Sequence, residues 1–309
     1  MKKIELHLHL DGSVRLNTAS TIGNIKKEDM IAKDKCTDLN DYLTKFDKVN
    51  EIMQTSETLE KFAYELAEDL KKDDVIYAEI RFAPIKHLKK GLTMDEVVQS
   101  VLNGLKKVDI KTNLILCLMR GESFQNNLYT IKTALKFLNK GVVAIDLAGA
   151  EAIYKTENYR ELFTIAKDNN IPFTIHCGEA DGTSSIKSAI SFGTKRIGHG
   201  IRCLEDNDLV NEIISKNIAL EICPTSNVQT NVVDVYKNHP IKKLYEKGVL
   251  TTINTDNRTV SNITLKEEYN KLKKAFDFTE NDFLNMNINA INSAFISDEE
   301  KQELLKMLK

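Results

Sequence analysis

Short runs of apolar and β-branched residues recur along the whole chain. There are eight of them, at residues 4–10, 75–84, 112–119, 142–149, 172–179, 196–202, 219–226 and 250–256. Most of the gaps between them have helical periodicity, as in residues 93–108 and 158–170. Strands that are apolar on both faces and alternate with helices indicate a parallel sheet. Eight such strands in about 250 residues predict an α/β fold, the (β/α)8 or TIM barrel.

A doubly wound open sheet is the alternative arrangement of alternating strands and helices. It is disfavoured because no G-x-G-x-x-G pattern follows the first run. The chain of 309 residues fits one large α/β domain or two small ones. No linker, low-complexity tract or internal repeat divides it. We therefore expect a single domain over residues 1–309.

Two stretches depart from an even strand–helix repeat. Residues 11–74 separate the first two strands by more than one crossover helix needs, and contain helix-like segments at 39–53 and 56–74. In a barrel this helical insertion would lie on the catalytic side as a lid. Residues 263–309 predict about three further C-terminal helices, packed around the barrel.

Charge and composition exclude several classes of protein. The formal net charge is −2, without the excess of basic residues expected of a protein that binds nucleic acid. No long uncharged apolar run predicts a membrane span, and the start lacks the apolar region of a signal peptide. The five cysteines are scattered and form no C-x-x-C pair, so neither a disulfide framework nor a cysteine zinc site is indicated. These features predict a cytoplasmic protein.

Histidines and acids concentrate at the carboxyl ends of the predicted strands, where barrel active sites are built. His7 and His9 are two residues apart on one strand, so their side chains point the same way, into the barrel. Two hydrogen-bonded core histidines are the structural alternative. That alternative is weakened by His176, His199 and Asp256 at the ends of three other strands. Imidazole and carboxylate suit a divalent cation such as zinc.

The two remaining histidines fall outside this pattern. His87 follows a proline in a basic loop, and His239 stands where a helix is expected to open. We predict that both are surface or capping residues without a catalytic role.

Three further residues stand beside the predicted site. Glu179 follows His176 by three positions and would be a natural general acid, although an acid at a helix start is the structural alternative. Gly149 ends the fourth strand, either as a turn residue or where the backbone approaches a ligand. Asp146 is expected to be internal to that strand and structural.

The motifs, taken in order, resemble those of the adenosine deaminase family of the metal-dependent amidohydrolase superfamily. The matching stretches are HLHLDGS (7–13), YAEIRFAP (77–84), VVAIDLAGAE (142–151), HCGEADG (176–182), RIGHGIR (196–202), EICPTSN (221–227) and NTDN (254–257). They span nearly the whole chain. Any one of these motifs is weak evidence for the family. The ordered set, with a glutamate three residues after the third histidine, is specific for it.

The resemblance implies a zinc-dependent hydrolysis of adenosine, and of 2′-deoxyadenosine, to the inosine product and ammonia in purine salvage. By the same match one Zn²⁺ per chain would be held by four residues, and the other matched positions would serve catalysis and substrate binding. The implied ligands are His7, His9, His176 and Asp256. Glu179 would protonate purine N1, and His199 would orient the attacking water and help to deprotonate it. Asp11 would contact the ribose 5′-hydroxyl, and the Gly149 N–H would contact purine N3. His9 would also lie beside the substrate.

The chain departs from the family pattern in two places. Asn257 stands where the family commonly has a second aspartate that binds purine N7; its amide can still donate a hydrogen bond there. The first insertion is also short for the family. Phe46 within it resembles a lid residue near the sugar, or else packs the insertion's own core.

Several related functions remain open at the level of sequence. The nearest are deaminases of adenine, methylthioadenosine or N6-methylated adenine nucleotides, of which Asp11 disfavours the adenine-specific type. An AMP deaminase is longer and needs a phosphate site.

Alternatives from other classes of protein are disfavoured. A barrel that binds a ligand without catalysing a reaction would lack the proton donor or the water-orienting histidine, and both Glu179 and His199 are present. A two-metal amidohydrolase would carry a lysine on the fourth strand, and residues 142–149 contain none. The oligomeric state stays open and is compatible with a monomer.

Overall fold

The computed structural model describes residues 1–308 and contains eight parallel β-strands. In chain order they are β1 Lys3–His9, β2 Val75–Phe82, β3 Lys111–Met119, β4 Val142–Ala148, β5 Thr174–Cys177, β6 Arg196–His199, β7 Ala219–Ile222 and β8 Leu250–Ile253. Each strand overlaps one of the eight predicted runs. The prediction of a (β/α)8 fold is confirmed.

The strands pair in two four-stranded sheets, β1 to β4 and β5 to β8, each with neighbours in chain order. Backbone hydrogen bonds join the two sheets at both seams. Between β4 and β5 the Ile145 N–H donates to the Pro172 carbonyl at 3.0 Å. Just after β8, the His9 N–H donates to the Asp256 carbonyl at 2.7 Å and the Asp256 N–H to the His7 carbonyl at 3.0 Å. The carboxyl ends of β1 and β8 are therefore held side by side.

Fifteen α-helices lie between and after the strands of the described chain. They are α1 Leu16–Gly23, α2 Lys27–Met30, α3 Leu39–Leu43, α4 Asp47–Ile52, α5 Ser56–Lys72, α6 Met94–Leu105, α7 Phe124–Phe137, α8 Arg160–Asp168, α9 Thr183–Phe192, α10 Asn207–Ser215, α11 Pro224–Gln229, α12 Ile241–Glu246, α13 Leu265–Phe276, α14 Glu280–Ser293 and α15 Asp298–Leu308. Local sequence accounts for their boundaries. At the start of α6, for example, the Thr93 hydroxyl accepts from the Glu96 N–H and the Glu96 carboxylate accepts from the Thr93 N–H.

The long segment between β1 and β2 divides into two parts with different positions. Residues of α3 and α4 line a cavity at the carboxyl ends of the strands. Helix α5 instead packs against α6 and β2, where a barrel crossover helix belongs. A Cβ on Gly104 would lie 2.1 Å from the Glu60 carbonyl, which shows how closely α5 and α6 approach. The expectation that the whole of 11–74 forms a lid is therefore wrong for residues 56–72, whose apolar side chains bury against the barrel wall.

The C-terminal stretch forms three helices, as the sequence predicts. Helix α14 packs against β1 and β8, and an apolar cluster joins Ile4, Leu6 and Tyr77 to residues of α14 and α15. Phe295 covers the amino-terminal end of the barrel, where the Arg196 guanidinium lies 4.0 Å from its ring centroid. No helix in the described part of the chain combines the length and apolar character that a membrane crossing requires.

Candidate metal and catalytic site

Four side chains converge at the carboxyl ends of β1, β5 and β8. They are His7, His9, His176 and Asp256, and their nitrogen and oxygen atoms lie within 4.8 Å of one another. The Asp256 Oδ1 is 3.3 Å from the His7 Nε2 and 3.5 Å from the His9 Nε2. The buried His7 Nε2 has no hydrogen-bond partner among residues 1–308. Three imidazoles and a carboxylate at these separations fit a borderline divalent cation.

The backbone aims these side chains by two different devices. On β1, the two-residue repeat puts His7 and His9 on one face. Asp256, which follows β8, and His199, the last residue of β6, instead have a left-handed backbone conformation, with φ of 62° and 60°. Non-glycine residues rarely adopt this conformation, and where they do the surrounding structure holds them. For Asp256 that support is its pair of backbone hydrogen bonds to β1.

Buried carboxylates orient two of the four candidate ligands from behind. The His7 Nδ1 lies 2.8 Å from Glu221 Oε2, and the His176 Nδ1 lies 2.8 Å from Asp146 Oδ2. For His7 this contact is a hydrogen bond, which selects the tautomer whose Nε2 is free to bind a metal; for His176 it is a close contact with the carboxylate. Asp146 therefore does more than fill β4, and Glu221 is a partner that the sequence reasoning missed. The only sequence signal for Glu221 was an acid inside the apolar run 219–226.

Two buried arginines hold these carboxylates in the charged form. Arg81 donates to Asp146 at 2.8 Å and to Glu221 at 2.7 Å, and Arg196 donates to Glu221 at 2.6 Å. Burial opposes ionisation, but Arg81 and Arg196 keep the pKa of Glu221 well below its usual range. Charges buried this deeply are tolerated only when paired.

Two of the three imidazoles at the cluster, those of His7 and His9, have lowered pKa values and are therefore neutral near pH 7, whereas, despite burial, Asp146 raises the pKa of His176. Burial, reinforced by Arg81, lowers the pKa of His7 to about 4. Burial also places the pKa of His9 well below its ordinary value. Burial acts against ionisation of Asp256 too, but the neighbouring His7 lowers the pKa of Asp256 overall. Neutral imidazole and ionised carboxylate are the forms that bind a metal.

Glu179 and His199 lie together beside this cluster. The Glu179 Oε2 is 3.5 Å from the His199 Nε2, and its Oε1 accepts from the Asn227 amide and the Thr230 hydroxyl, each at 3.2 Å. Burial raises the pKa of Glu179. Asn227 and Thr230 come from helix α11 and the turn after it, the segment that begins with the motif CPTSN. The same helix carries Ser226, whose hydroxyl donates to Asp256 at 2.6 Å.

Glu151 holds the loop that carries Glu179. Its carboxylate accepts four consecutive backbone N–H groups, those of residues 178–181, at 2.6 to 3.1 Å. It also accepts from the Ser185 hydroxyl at 2.6 Å. Glu151 ends the motif VVAIDLAGAE (142–151), and no local sequence pattern indicates its role. One buried side chain thus sets the backbone path of the β5–α9 loop.

A cavity of about 190 Å³ opens onto the cluster. All of the candidate substrate-contacting residues line it, namely His9, Asp11, Gly149 and Asn257, together with Glu179 and His199. Burial raises the pKa of Asp11 to about 6. A Cβ on Gly12 would lie 1.8 Å from the Asn257 Oδ1, so glycine is required beside this amide. A wider groove of about 730 Å³ adjoins the cavity and shares Glu179 with it, but none of the histidines lines that groove.

The insertion supplies the outer wall of the cavity. Side chains of Leu39, Tyr42, Leu43, Phe46, Asp47 and Asn50 line it. Phe46 also packs against Tyr42, with ring centroids 6.4 Å apart. Both sequence-based alternatives for Phe46, a cavity contact and a core contact of the insertion, are therefore present in the structure.

The predictions for the other two histidines need correction, because neither lies on the surface. His87 is fully buried, with its ring 5.7 Å from that of Phe82. His239 is 3% exposed; its Nδ1 accepts from the Ile241 N–H at 3.2 Å, so the expected capping role is present. Its Nε2, however, lies 3.2 Å from the Asn227 Oδ1, which connects it to Glu179 and His199. The sequence signal for burial was weak, since both residues lie in loops rich in lysine.

A parallel eight-stranded α/β barrel with a histidine–aspartate cluster at its carboxyl end defines the class of barrel amidohydrolases. Comparison with known proteins specifies the family. Residues 2–309 match the family model described as adenosine deaminase. The chain is 40% identical over 321 residues to the adenosine deaminase of Clostridium perfringens strain SM101, covering 98% of this chain and 97% of that protein. This chain belongs to the adenosine deaminase family.

Solved structures share the fold across the whole chain. The N6-mAMP deaminase of arabidopsis is 27% identical, with a TM-score of 0.90, 100% of this chain covered and 97% of that one. A cog1816 amidohydrolase from Burkholderia ambifaria, solved with bound zinc, is 20% identical with a TM-score of 0.91, covering 100% of this chain and 91% of that one. At that identity the second comparison supports the fold alone.

Proposed function

We propose that this chain catalyses the zinc-dependent hydrolytic deamination of adenosine and 2′-deoxyadenosine to the corresponding inosine and ammonia, in purine salvage. One observation carries the proposal. A cluster of three histidines and an aspartate lies beside a buried glutamate and a fourth histidine, and most of these side chains line one small cavity. The likeness to adenosine deaminases over nearly the full length of the chain supports the choice of substrate.

His7, His9, His176 and Asp256 would hold one zinc ion per chain. Their fit rests on the donor set, on the unpartnered Nε2 of His7 and on the two carboxylates that orient His7 and His176. A bound Zn²⁺ supplies Lewis acidity, which makes water a competent nucleophile at neutral pH. His7→Ala should lose both zinc and activity, whereas the matched variant His87→Ala should keep zinc. Stoichiometric zinc in purified His7→Ala, measured by mass spectrometry, would contradict this assignment.

Glu179 and His199 would manage the protons of the reaction. Attack at purine C6 places negative charge on N1, and a proton from Glu179 would neutralise it. Burial keeps this carboxyl protonated to higher pH than an exposed glutamate. His199 would orient the attacking water and assist its deprotonation. His199 and Glu179 lie 3.5 Å apart, and both line the cavity, which supports a shared role.

Three cavity residues would recognise the nucleoside. Asp11 would accept from the 5′-hydroxyl, the Gly149 N–H would donate to N3, and the Asn257 amide would donate to N7. His9 would lie next to the substrate as well as to the metal. The Asp11 Oδ1 is buried without a partner among residues 1–308, as expected of an atom that binds a ligand hydroxyl.

The arabidopsis neighbour makes deamination of an N6-methylated adenine nucleotide the second candidate. Among the cavity-lining residues the one lysine or arginine is Lys86, and it already pairs with Glu122 at 2.6 Å. Asp11 and Asp47 line the same cavity. A phosphate needs a cationic partner, so these side chains favour an uncharged nucleoside.

A substrate panel tests the proposal. The zinc-loaded protein is incubated with adenosine, 2′-deoxyadenosine, adenine, methylthioadenosine and N6-methyl-AMP, and deamination is followed by ultraviolet absorbance. We expect turnover of the first two at the highest kcat/KM. No loss of adenosine absorbance would overturn the proposal, and faster turnover of N6-methyl-AMP would establish the second candidate.

The proposed compartment is the cytoplasm. All five cysteines are free in the structure, and free cysteines are typical of a reducing compartment.

A further inference from the structure

A buried histidine outside the cavity, His239, is linked through Asn227 to Glu179 and His199. His239 follows the turn Tyr236–Asn238 and precedes Pro240 and α12. The Ile241 N–H donates to its Nδ1 at 3.2 Å. A ring nitrogen that accepts a hydrogen bond carries no hydrogen, so the neutral ring is protonated at Nε2. Burial, with a contribution from His199, lowers the pKa of His239 to about 3, so the ring is neutral near pH 7.

The protonated nitrogen of His239 faces one end of a buried side-chain amide. Its Nε2 lies 3.2 Å from the Asn227 Oδ1, and Asn227 is 0% exposed. Only the oxygen end of an amide can accept this hydrogen. His239 therefore selects one of the two ways in which the Asn227 amide can be turned.

The other end of the amide faces the proposed catalytic pair. The Asn227 Nδ2 is 3.0 Å from the His199 Nδ1 and 3.2 Å from the Glu179 Oε1. An amide nitrogen carries two hydrogens, one for each of these acceptors. The His199 Nδ1 must then be the acceptor, and the neutral His199 ring carries its hydrogen on Nε2. That nitrogen points towards the Glu179 Oε2, 3.5 Å away.

We propose that His239 and Asn227 form a positioning relay that sets the tautomer of His199 and holds the carboxyl of Glu179. Neither residue lines the cavity, so both act through the residues they contact. The relay makes neutral His199 a hydrogen-bond donor at Nε2, which assigns it to orienting the attacking water more than to removing a proton from it. This consequence for turnover rests on the proposed function, whereas the hydrogen-bond pattern does not.

Nitrogen-15 NMR tests the hydrogen-bond pattern without any turnover. The full-length, zinc-loaded protein is labelled at histidine, and signals are assigned with His239→Gln and His199→Gln. We expect His239 and His199 both to be neutral and protonated at Nε2. In Asn227→Asp the new carboxylate accepts where the amide donated, so His199 should become protonated at Nδ1. A His239 ring protonated at Nδ1, or a His199 signal unchanged in Asn227→Asp, would overturn the relay.

Steady-state kinetics test its effect on the reaction. His239→Leu should lower kcat by at least about tenfold with KM changed by less than about twofold, in the range of residues that orient a catalytic group from behind. His239→Gln should recover most of the loss, because its amide can accept from Ile241 and donate to Asn227. In an Asn227→Ala background, His239→Leu should have little further effect, since the relay is already broken.

The matched control is His87→Leu, which also removes a fully buried histidine but lies outside the relay, and its kcat should equal that of the wild type. Additive losses for His239→Leu and Asn227→Ala, or a well-folded His239→Gln as slow as His239→Leu, would contradict the relay. A wild-type protein inactive on the whole substrate panel would remove the proposed function alone. The NMR tautomers would still decide the relay.

Discussion

At the scale of single residues, the hydrogen-bond partners of the two ring nitrogens determine the role of each histidine. His7 and His176 have a carboxylate on Nδ1 and present Nε2 to the candidate metal site. His239 is held between a backbone N–H and an amide oxygen. His87 finds no hydrogen-bond partner for either ring nitrogen within residues 1–308. Residue type alone does not distinguish these roles, because all of these side chains are buried.

A variant without the carboxyl proton of Glu179 tests the proposed proton transfer separately from metal binding. Glu179→Gln keeps the size and hydrogen-bonding capacity of the side chain but cannot act as an acid. We expect kcat to fall by about 100-fold or more, the usual contribution of a general acid, with full zinc content. Turnover and metal content are measured on the same preparation. Near-wild-type turnover would remove Glu179 from the mechanism.

Burial of His87 makes part of the stability depend on pH. Burial lowers the pKa of His87 to about 4 from the ordinary histidine value of 6.5. The unfolded state therefore binds a proton below pH 6.5 that the folded state does not, and this stability, complete above pH 6.5, is lost as the pH falls towards 4.

Between pH 7 and pH 5 the loss attributable to His87 is about 2 kcal/mol, since each pH unit below 6.5 costs about 1.4 kcal/mol. Urea unfolding at both pH values measures it. His87→Leu should show a pH dependence smaller by that amount. Equal pH dependence in the variant and the wild type would show that His87 is not the group that titrates.

At the scale of elements, the active-site loops depend on contacts from other loops. The β5–α9 loop is tied to Glu151 by four backbone N–H groups, and helix α11 supplies contacts to Asp256, Glu179 and His199. A carboxylate that accepts so many N–H groups fixes a loop more firmly than its sequence can. Glu179, the proposed proton donor, is therefore positioned by a residue that lies 28 positions earlier in the chain.

Glu151→Gln tests this dependence. A glutamine presents an NH₂ group to backbone N–H donors, so residues 178–181 should loosen and Glu179 should be displaced. We expect kcat to fall by about tenfold or more, with faster hydrogen exchange at the amides of residues 178–181. Glu96→Gln, at the exposed cap of α6, is the matched control and should leave both quantities unchanged. Unchanged exchange at 178–181 would contradict the clamp.

At the scale of the whole molecule, a series of buried ion pairs and hydrogen bonds runs through the barrel from Phe295 at its amino-terminal end to the candidate metal site. The Phe295 N–H donates to Glu79, Glu79 pairs with Arg196 at 2.5 Å, Arg196 with Glu221, and Glu221 with His7. The side chains of Glu79, Arg196, Glu221 and His7 are all fully buried. The C-terminal segment is thereby connected to a candidate ligand at the opposite end of the barrel.

Arg196→Met tests whether this series of buried pairs supports both the stability of the fold and metal binding. It would leave Glu79 without its buried cation and Glu221 with Arg81 alone, and breaking a buried pair from one side costs about 3–5 kcal/mol. We expect that loss in denaturant unfolding, together with zinc affinity lowered by about tenfold through Glu221 and His7. Unchanged zinc affinity in the folded variant would limit Arg196 to stability.

The sequence by itself determined the eight strands, the three C-terminal helices and the set of histidines and acids at the strand ends. It could do so because apolar periodicity and alternation along a strand are local properties of the chain. Tertiary structure decided the division of residues 11–74 into a cavity wall and a crossover helix. It also decided the partners behind the site: Glu221 lies 214 residues from His7, and Glu151 and His239 reach Glu179 and Asn227 from other loops. Such pairs depend on which strand ends become neighbours when the barrel closes, and no local pattern records that neighbourhood.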